Sequence, residues 1–208
     1  MDMDISMDIY AKSVVMDMYI DMDMDMDIVN KVDELHATVH IFDTDIIHIC
    51  ESWLTPDILY SEIQLAGYDL FRNDRINGKS GGVLFYVKSS LKPLEFQTVS
   101  PFKNQVWCRI SDLAVGVCYR TMNMEIAGSE NNDHLLDLID EIGTKHVLLM
   151  GDLNCPDIDW SQHSVTATAD KDTKSFLKSI DDVFLTHRVT VPSRGESVLD
   201  LILSREPE

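Results

Sequence analysis

The sequence predicts an α/β fold, a sandwich of two β-sheets flanked by helices. Three observations carry this. Short apolar runs such as Ile46–Cys50, Val83–Val87 and Val147–Met150 have the length and composition of buried strands. Between them lie stretches whose apolar residues recur at helical spacing, around 29–39 and 131–142. A tight hairpin is written at Ser111-Asp112. Hairpins mixed with β-α-β units point to two sheets with outer helices. The 208 residues suffice for one domain with a substantial core.

Each element has its own signal. Residues 1–28 are low in complexity and hold eight of the 11 Met and eight Asp. From Met16 to Ile28 the even positions are Met or Ile, and the odd ones are Asp except Tyr19. Period 2 is a strand pattern, but five Asp on one face repel one another. Residues 1–15 therefore read as a disordered or repeat-expanded tail, with 16–28 available as an extra strand on an open sheet edge. Val29, Val32, Leu35, His36 and Val39 mark one face of a first helix. Ile46–Cys50 is a buried strand ending at Glu51. Gly81-Gly82 leads into the strand Val83–Val87. Val106–Ile110 and Leu113–Tyr119 form the hairpin. Asn131, Asn132 or Asp133 can cap a helix bearing Leu135, Leu136, Leu138, Ile139 and Ile142 and closed by Gly143. The strand at 146–150 follows, then a short helix at Phe176, Leu177 and Ile180, and a last strand at Val198–Leu203. There is one domain, 29–208, behind the 1–28 tail.

The net charge of −19 weighs against nucleic-acid binding by bulk attraction, because phosphate contacts need Lys and Arg. A nucleic acid would have to be held locally or through a divalent cation. Cys50, Cys108, Cys118 and Cys155 show no Cys-x-x-Cys pairing, which argues against zinc. The first three sit in apolar runs and read as core thiols in a reducing, intracellular setting, nuclear or cytoplasmic. No apolar run reaches membrane-spanning length, and no signal peptide is evident.

Several polar residues stand where apolar strands end. Glu51 follows Ile46–Cys50, Tyr119-Arg120 follows Leu113–Cys118, and Asp152 and Asn154 follow Val147–Met150; Asp200 lies within Val198–Leu203. In layered α/β folds such strand ends converge on one cleft. A lone Glu suits Mg²⁺, or Mn²⁺, which takes one or two carboxylates plus water and substrate phosphate. Such a cation would neutralise phosphate charge. Asp152 could orient or deprotonate a water, and Asn154 could donate to a phosphoryl oxygen. Gly-Asp-x-Asn is also a plain turn.

These residues carry a resemblance. Asp45-Ile-Ile-His-Ile-Cys-Glu-Ser-Trp-Leu54 resembles the Glu-Thr-Trp-Leu motif of the endonuclease/exonuclease/phosphatase superfamily, whose fold is DNase I-like. The match is to the apurinic-type endonuclease domain of non-LTR, LINE-like retrotransposons. Gly67–Arg75 and Ser80–Lys88 look like that group's stretch between its Glu and Tyr motifs. Val115-Gly-Val-Cys-Tyr-Arg120 resembles its Tyr-Arg-Pro motif, with Thr121 where Pro is usual. His146–Trp160 is similar to its Gly-Asp-Phe-Asn segment. Val191–Arg194 and Ser197–Leu203 resemble its Thr-Arg and Leu-Asp-Leu stretches. The resemblance implies that Glu51 binds the metal and Tyr119 contacts the phosphate. It also implies that Asp152 activates or positions water, Asn154 holds the phosphate, and Asp200 orients a catalytic His. Arg120 and Arg194 are the expected substrate-binding cations. Implied partners are DNA and a reverse transcriptase encoded downstream, with no small-molecule cofactor and no membrane.

The chain departs from the family pattern at two places. The first-strand Asn falls by spacing near Met24, and Glu208 precedes any Ser-Asp-His motif. The expectation is therefore an incomplete domain with impaired metal-dependent phosphodiester hydrolysis, the alternative being a non-catalytic remnant. Structural readings stand beside the chemical ones. Glu51 could cap a strand, Tyr119 could pack in the core, and Asp200 could pair with Arg194 without catalysis. Trp53, Trp107 and Trp160 read as core fillers before base-stacking platforms. Arg72, Arg75 and Lys79 are either an exposed loop or a contact to a DNA backbone.

Overall fold

Burial of both faces of two sheets organises the molecule. The structure is a computed structural model that describes residues 13–15, 28–74, 81–121, 130–188 and 198–205. Its strands are β1 (Ser13–Val15), β2 (Ile46–Cys50), β3 (Tyr68–Asn73), β4 (Val83–Lys88), β5 (Leu94–Phe96), β6 (Gln105–Ile110), β7 (Leu113–Cys118), β8 (Val147–Asp152), β9 (Ile158–Asp159), β10 (Ser164–Val165), β11 (Thr186–His187) and β12 (Asp200–Arg205). Its α-helices are α1 (Val32–Phe42), α2 (Asn131–Ile142) and α3 (Lys171–Asp182). One sheet has the order β1-β2-β4-β3, the other β11-β12-β8-β7-β6-β5, and β9 and β10 form a small hairpin.

Three apolar layers follow from the alternation of side chains along the strands. Between the sheets, Ile46, Phe85 and Val87 meet Cys108, Val115, Val117, Leu148 and Met150. Outside the larger sheet, Leu135, Leu138, Ile139 and Ile142 of α2 and Phe176 and Ile180 of α3 cover Val147, Leu149 and Leu201. Outside the smaller sheet, Ile28 and Leu35 cover Ile47, Ile49, Leu84 and Tyr86. The chain is thus an α/β sandwich with helices on both outer faces, as the alternation of elements implies.

Local chemistry fixes the joints. The β6–β7 hairpin pairs Ile110 with Leu113 across Ser111-Asp112, and Ser111 takes the positive φ of 56° that a two-residue turn needs. Asp170 caps α3 by accepting from the Thr173 amide at 2.7 Å. At α2 the expected cap does not form. The helix begins at Asn131 with Glu130 before it, and no side chain caps it. Asn132 turns inward instead and accepts from Arg120 Nε at 2.9 Å. Strand β1 pairs in parallel with β2, Ser13 opposite Ile46. An edge strand from the Met/Asp segment is therefore present, but it lies upstream of the alternating stretch, within residues that read as tail. Residues 16–27 lie outside the described residues.

Candidate active site

The site grows from two turns at the same end of the sandwich. Strand β2 ends at Glu51, and Glu51 and Trp53 both take left-handed φ values of 58° and 55°. Such values are uncommon for residues with a Cβ and collect at functional sites. Two backbone bonds hold the turn against the entry to β4, Ser52 N to Gly82 O at 3.3 Å and Trp53 N to Gly81 O at 3.0 Å. The Glu51 carboxylate is then fully oriented. Its Oε2 accepts from the Trp53 indole Nε1 at 2.8 Å and from the Gly81 amide at 3.1 Å. Its Oε1 accepts from the Tyr119 hydroxyl.

The second turn leaves β8. Gly151 has φ +131°, and a Cβ there would stand 1.9 Å from the Cys118 carbonyl oxygen, so only glycine lets β8 pass β7 this closely. Asp152 follows, register-paired with Asp200 on β12. Its Oδ1 accepts from the Asn154 amide at 2.9 Å, and its own amide donates to Cys50 Sγ at 3.4 Å. That contact ties β8 to β2, and so brings Asp152 to the residue next to Glu51. Asn154, at φ 48°, donates through Nδ2 to the Arg120 carbonyl at 2.7 Å, leaving its second amide hydrogen for another acceptor.

Tyr119 sits between the acids. Burial pushes its phenol well above the ordinary range, helped by the bond to Glu51 and the charges of Glu51 and Asp152. It stays a neutral O–H donor. Asp200 is buried in β12, 4% exposed. His48, also buried, faces it electrostatically. Burial lowers the His48 imidazole to about 4, with Asp200 opposing the shift.

Of the two expected cations, Arg120 and Arg194, only Arg120 lies among the described residues. Arg120 is only 5% exposed. Its Nη1 donates to the Asn154 carbonyl at 3.0 Å and the Leu153 carbonyl at 3.4 Å, while Nε is held by Asn132. It therefore braces the 152–155 turn from behind. Arg194 lies outside the described residues. Arg72 is also structural, since its guanidinium pairs with Asp74 and donates to the carbonyls of Ile58 and Thr55 at 2.9 Å each. Arg75 and Lys79 lie outside the described residues.

Trp107 is a core residue, with its ring on Gly116, where a Cβ would come within 2.3 Å. Trp53 is 38% exposed, so it does not fill the core as its residue type suggests. Its spacing two residues after Glu51 was the available signal.

Among the described residues no three His, Cys, Asp or Glu side chains are grouped to enclose a metal ion. A hard cation needs only one or two carboxylates, with water and substrate completing its shell. Glu51 and Asp152, on either side of Tyr119, are carboxylates of that kind. A separate cavity of about 450 Å³ opens between β3 and β5–β6, lined by Phe71, Phe96 and Trp107, and contains none of these residues. No helix among the described residues is long and apolar enough to cross a membrane.

Comparison with known proteins identifies the fold. A family described as "Endonuclease-reverse transcriptase" matches residues 113–208. No curated protein matches the chain. Among solved structures, an AP endonuclease from Archaeoglobus fulgidus superposes with a TM-score of 0.56 at 13% identity, covering 86% of this chain and 83% of that one. A 3′ phosphatase from Neisseria bound to a product DNA hairpin gives 0.60 at 14%, covering 86% and 83%. The endonuclease domain of TRAS1, a telomere-specific non-LTR retrotransposon, gives 0.55 at 13%, covering 87% and 79%. The chain carries the DNase I-like fold of the endonuclease/exonuclease/phosphatase superfamily, and its residues 113–208 match that superfamily's Endonuclease-reverse transcriptase family.

Proposed function

We propose that this domain is a divalent-metal-dependent phosphodiesterase that nicks DNA, of the retroelement endonuclease class. The observation that carries the reading is the Glu51 carboxylate, held by three donors at the end of β2 and joined through Tyr119 and Cys50 to the Asp152–Asn154 turn. Three donors on one half-buried carboxylate fix its direction, which is what a metal ligand requires. The family match and the DNA-bound structural relative support the substrate class.

In this reading Glu51 holds Mg²⁺ or Mn²⁺. When bound, the cation supplies charge neutralisation on the phosphate and on the departing oxygen. Asp152 accepts the proton of the attacking water. Its Oδ1 is already turned by the Asn154 amide, so the carboxylate faces a set direction. Asn154 offers its remaining amide hydrogen to a phosphoryl oxygen. Tyr119, kept protonated by burial, would offer its O–H to the phosphate. Arg120 acts behind the turn as a positioning residue.

The test is nicking of supercoiled plasmid by the purified 208-residue chain in Mg²⁺. Nicking that disappears with EDTA and with Asp152→Ala supports the proposal. A folded protein that leaves the plasmid intact refutes it, and the fold is then a non-catalytic remnant.

A further inference from the structure

The Glu51 turn carries one large side chain, Trp53, that belongs to none of the core layers. Trp53 spends a left-handed backbone conformation, at φ 55°, to leave its ring more than a third exposed. What the conformation secures for the side chain is a bond from the indole N–H to Glu51 Oε2 at 2.8 Å. The facing turn repeats the arrangement. Gly81, at φ +97°, aims its amide at the same oxygen from 3.1 Å, and the Trp53 amide returns a bond to Gly81 O. Two facing segments with positive φ therefore converge on a single carboxylate oxygen.

We infer that Trp53 is a positioning residue for the metal ligand, fixing Glu51 so that it ligates through Oε1. This rests on the reading of Glu51 as the metal ligand. Oε2 carries two N–H donors in rigid directions, one from backbone and one from a planar ring. Oε1 carries only a hydroxyl, which rotates about its C–O bond and can swing away or accept instead of donate. The oxygen with the movable partner is the one free to face a cation. Partners of this kind around a metal ligand typically change affinity by about 10–100-fold when removed.

The experiment compares Mn²⁺ binding, read by electron paramagnetic resonance of free Mn²⁺, in the wild-type chain and in Trp53→Phe, Trp53→Gly and Glu51→Gln. Trp53→Phe keeps the ring and deletes the donor. Its Mn²⁺ affinity falls by about 10–100-fold, and nicking recovers at saturating metal. Trp53→Gly deletes the donor and releases the strained φ, so it loses metal affinity to the same degree while its backbone turn is relaxed. A purely structural Trp53 would instead lower the thermal midpoint and leave the Mn²⁺ affinity unmoved. Wild-type affinity in Trp53→Phe beside weakened binding in Glu51→Gln overturns the inference and leaves the metal site standing. No Mn²⁺ binding by the wild-type chain overturns both.

Discussion

Gly151→Ala should damage this protein more than its single added methyl suggests. A Cβ on Gly151 would lie 1.9 Å from the Cys118 carbonyl oxygen and 3.0 Å from its carbon, which is backbone and cannot rotate aside. The φ of +131° is also closed to alanine, a penalty of about 1–3 kcal/mol. Relief requires β8 to move off β7 at the turn. That move strains the Arg120 N–H bond to the Asp152 carbonyl, now 2.9 Å, worth about 1 kcal/mol, and the pairing around Met150 and Val117. The sum is on the order of 4 kcal/mol, a large share of a typical domain's stability. Urea denaturation followed by tryptophan fluorescence measures it directly. A midpoint that places Gly151→Ala within about 1 kcal/mol of wild type would refute the reasoning. It would mean that the strands separate here without cost.

Other expectations follow from the same geometry. Tyr119→Phe removes the donor on Glu51 Oε1, so plasmid nicking should fall about 10–100-fold with the thermal midpoint nearly unchanged; unchanged nicking would remove Tyr119 from the site. Arg120→Met strands the carbonyls of Leu153 and Asn154 behind the 152–155 turn and should cost about 3 kcal/mol in urea denaturation, with nicking lost in parallel. His48 sits at about 4 in the folded chain against its ordinary 6.5, so between those values the unfolded chain takes up the proton that the folded one refuses. Its contribution is intact above the ordinary value and is lost as pH falls toward 4, on the order of 3 kcal/mol, and His48→Leu should flatten that limb of the stability–pH curve. His187, lowered to about 4 by burial, adds to the acid loss and leaves a residual slope in that variant.

Much of the fold is legible because burial writes itself into composition. Strands β2, β4, β7 and β8 are nearly continuous apolar runs, and α2 carries its apolar face at helical spacing. Strand β3 is not legible as a strand. Tyr68–Asn73 interleaves Asp, Arg and Asn with Leu and Phe, and it is extended because β4 offers it a full ladder from Lys88 to Val83. The short strands β5, β9, β10 and β11 are two or three residues each, too brief for any period to register. At the site, the positions of Glu51, Tyr119, Asp152 and Asn154 at strand ends are visible in the chain. The direction of a guanidinium is not. Arg120 leaves a strand end beside Tyr119 and reads as a substrate cation, but two carbonyls of a distant turn and Asn132 of α2 capture it. Asn132 in turn is drawn away from helix capping. Both choices are set by tertiary contacts that no local pattern encodes.

The most direct test is a Mg²⁺ titration of plasmid nicking in the wild-type chain, Glu51→Gln and Asp152→Ala. Glu51 as the cation's ligand and Asp152 as the proton acceptor predict separate defects. Glu51→Gln should need at least about tenfold more Mg²⁺ to reach half its maximal rate, whereas Asp152→Ala should stay inactive at every concentration. Wild-type metal dependence in Glu51→Gln, or substantial nicking by Asp152→Ala, would contradict the assignment of chemistry to these two turns.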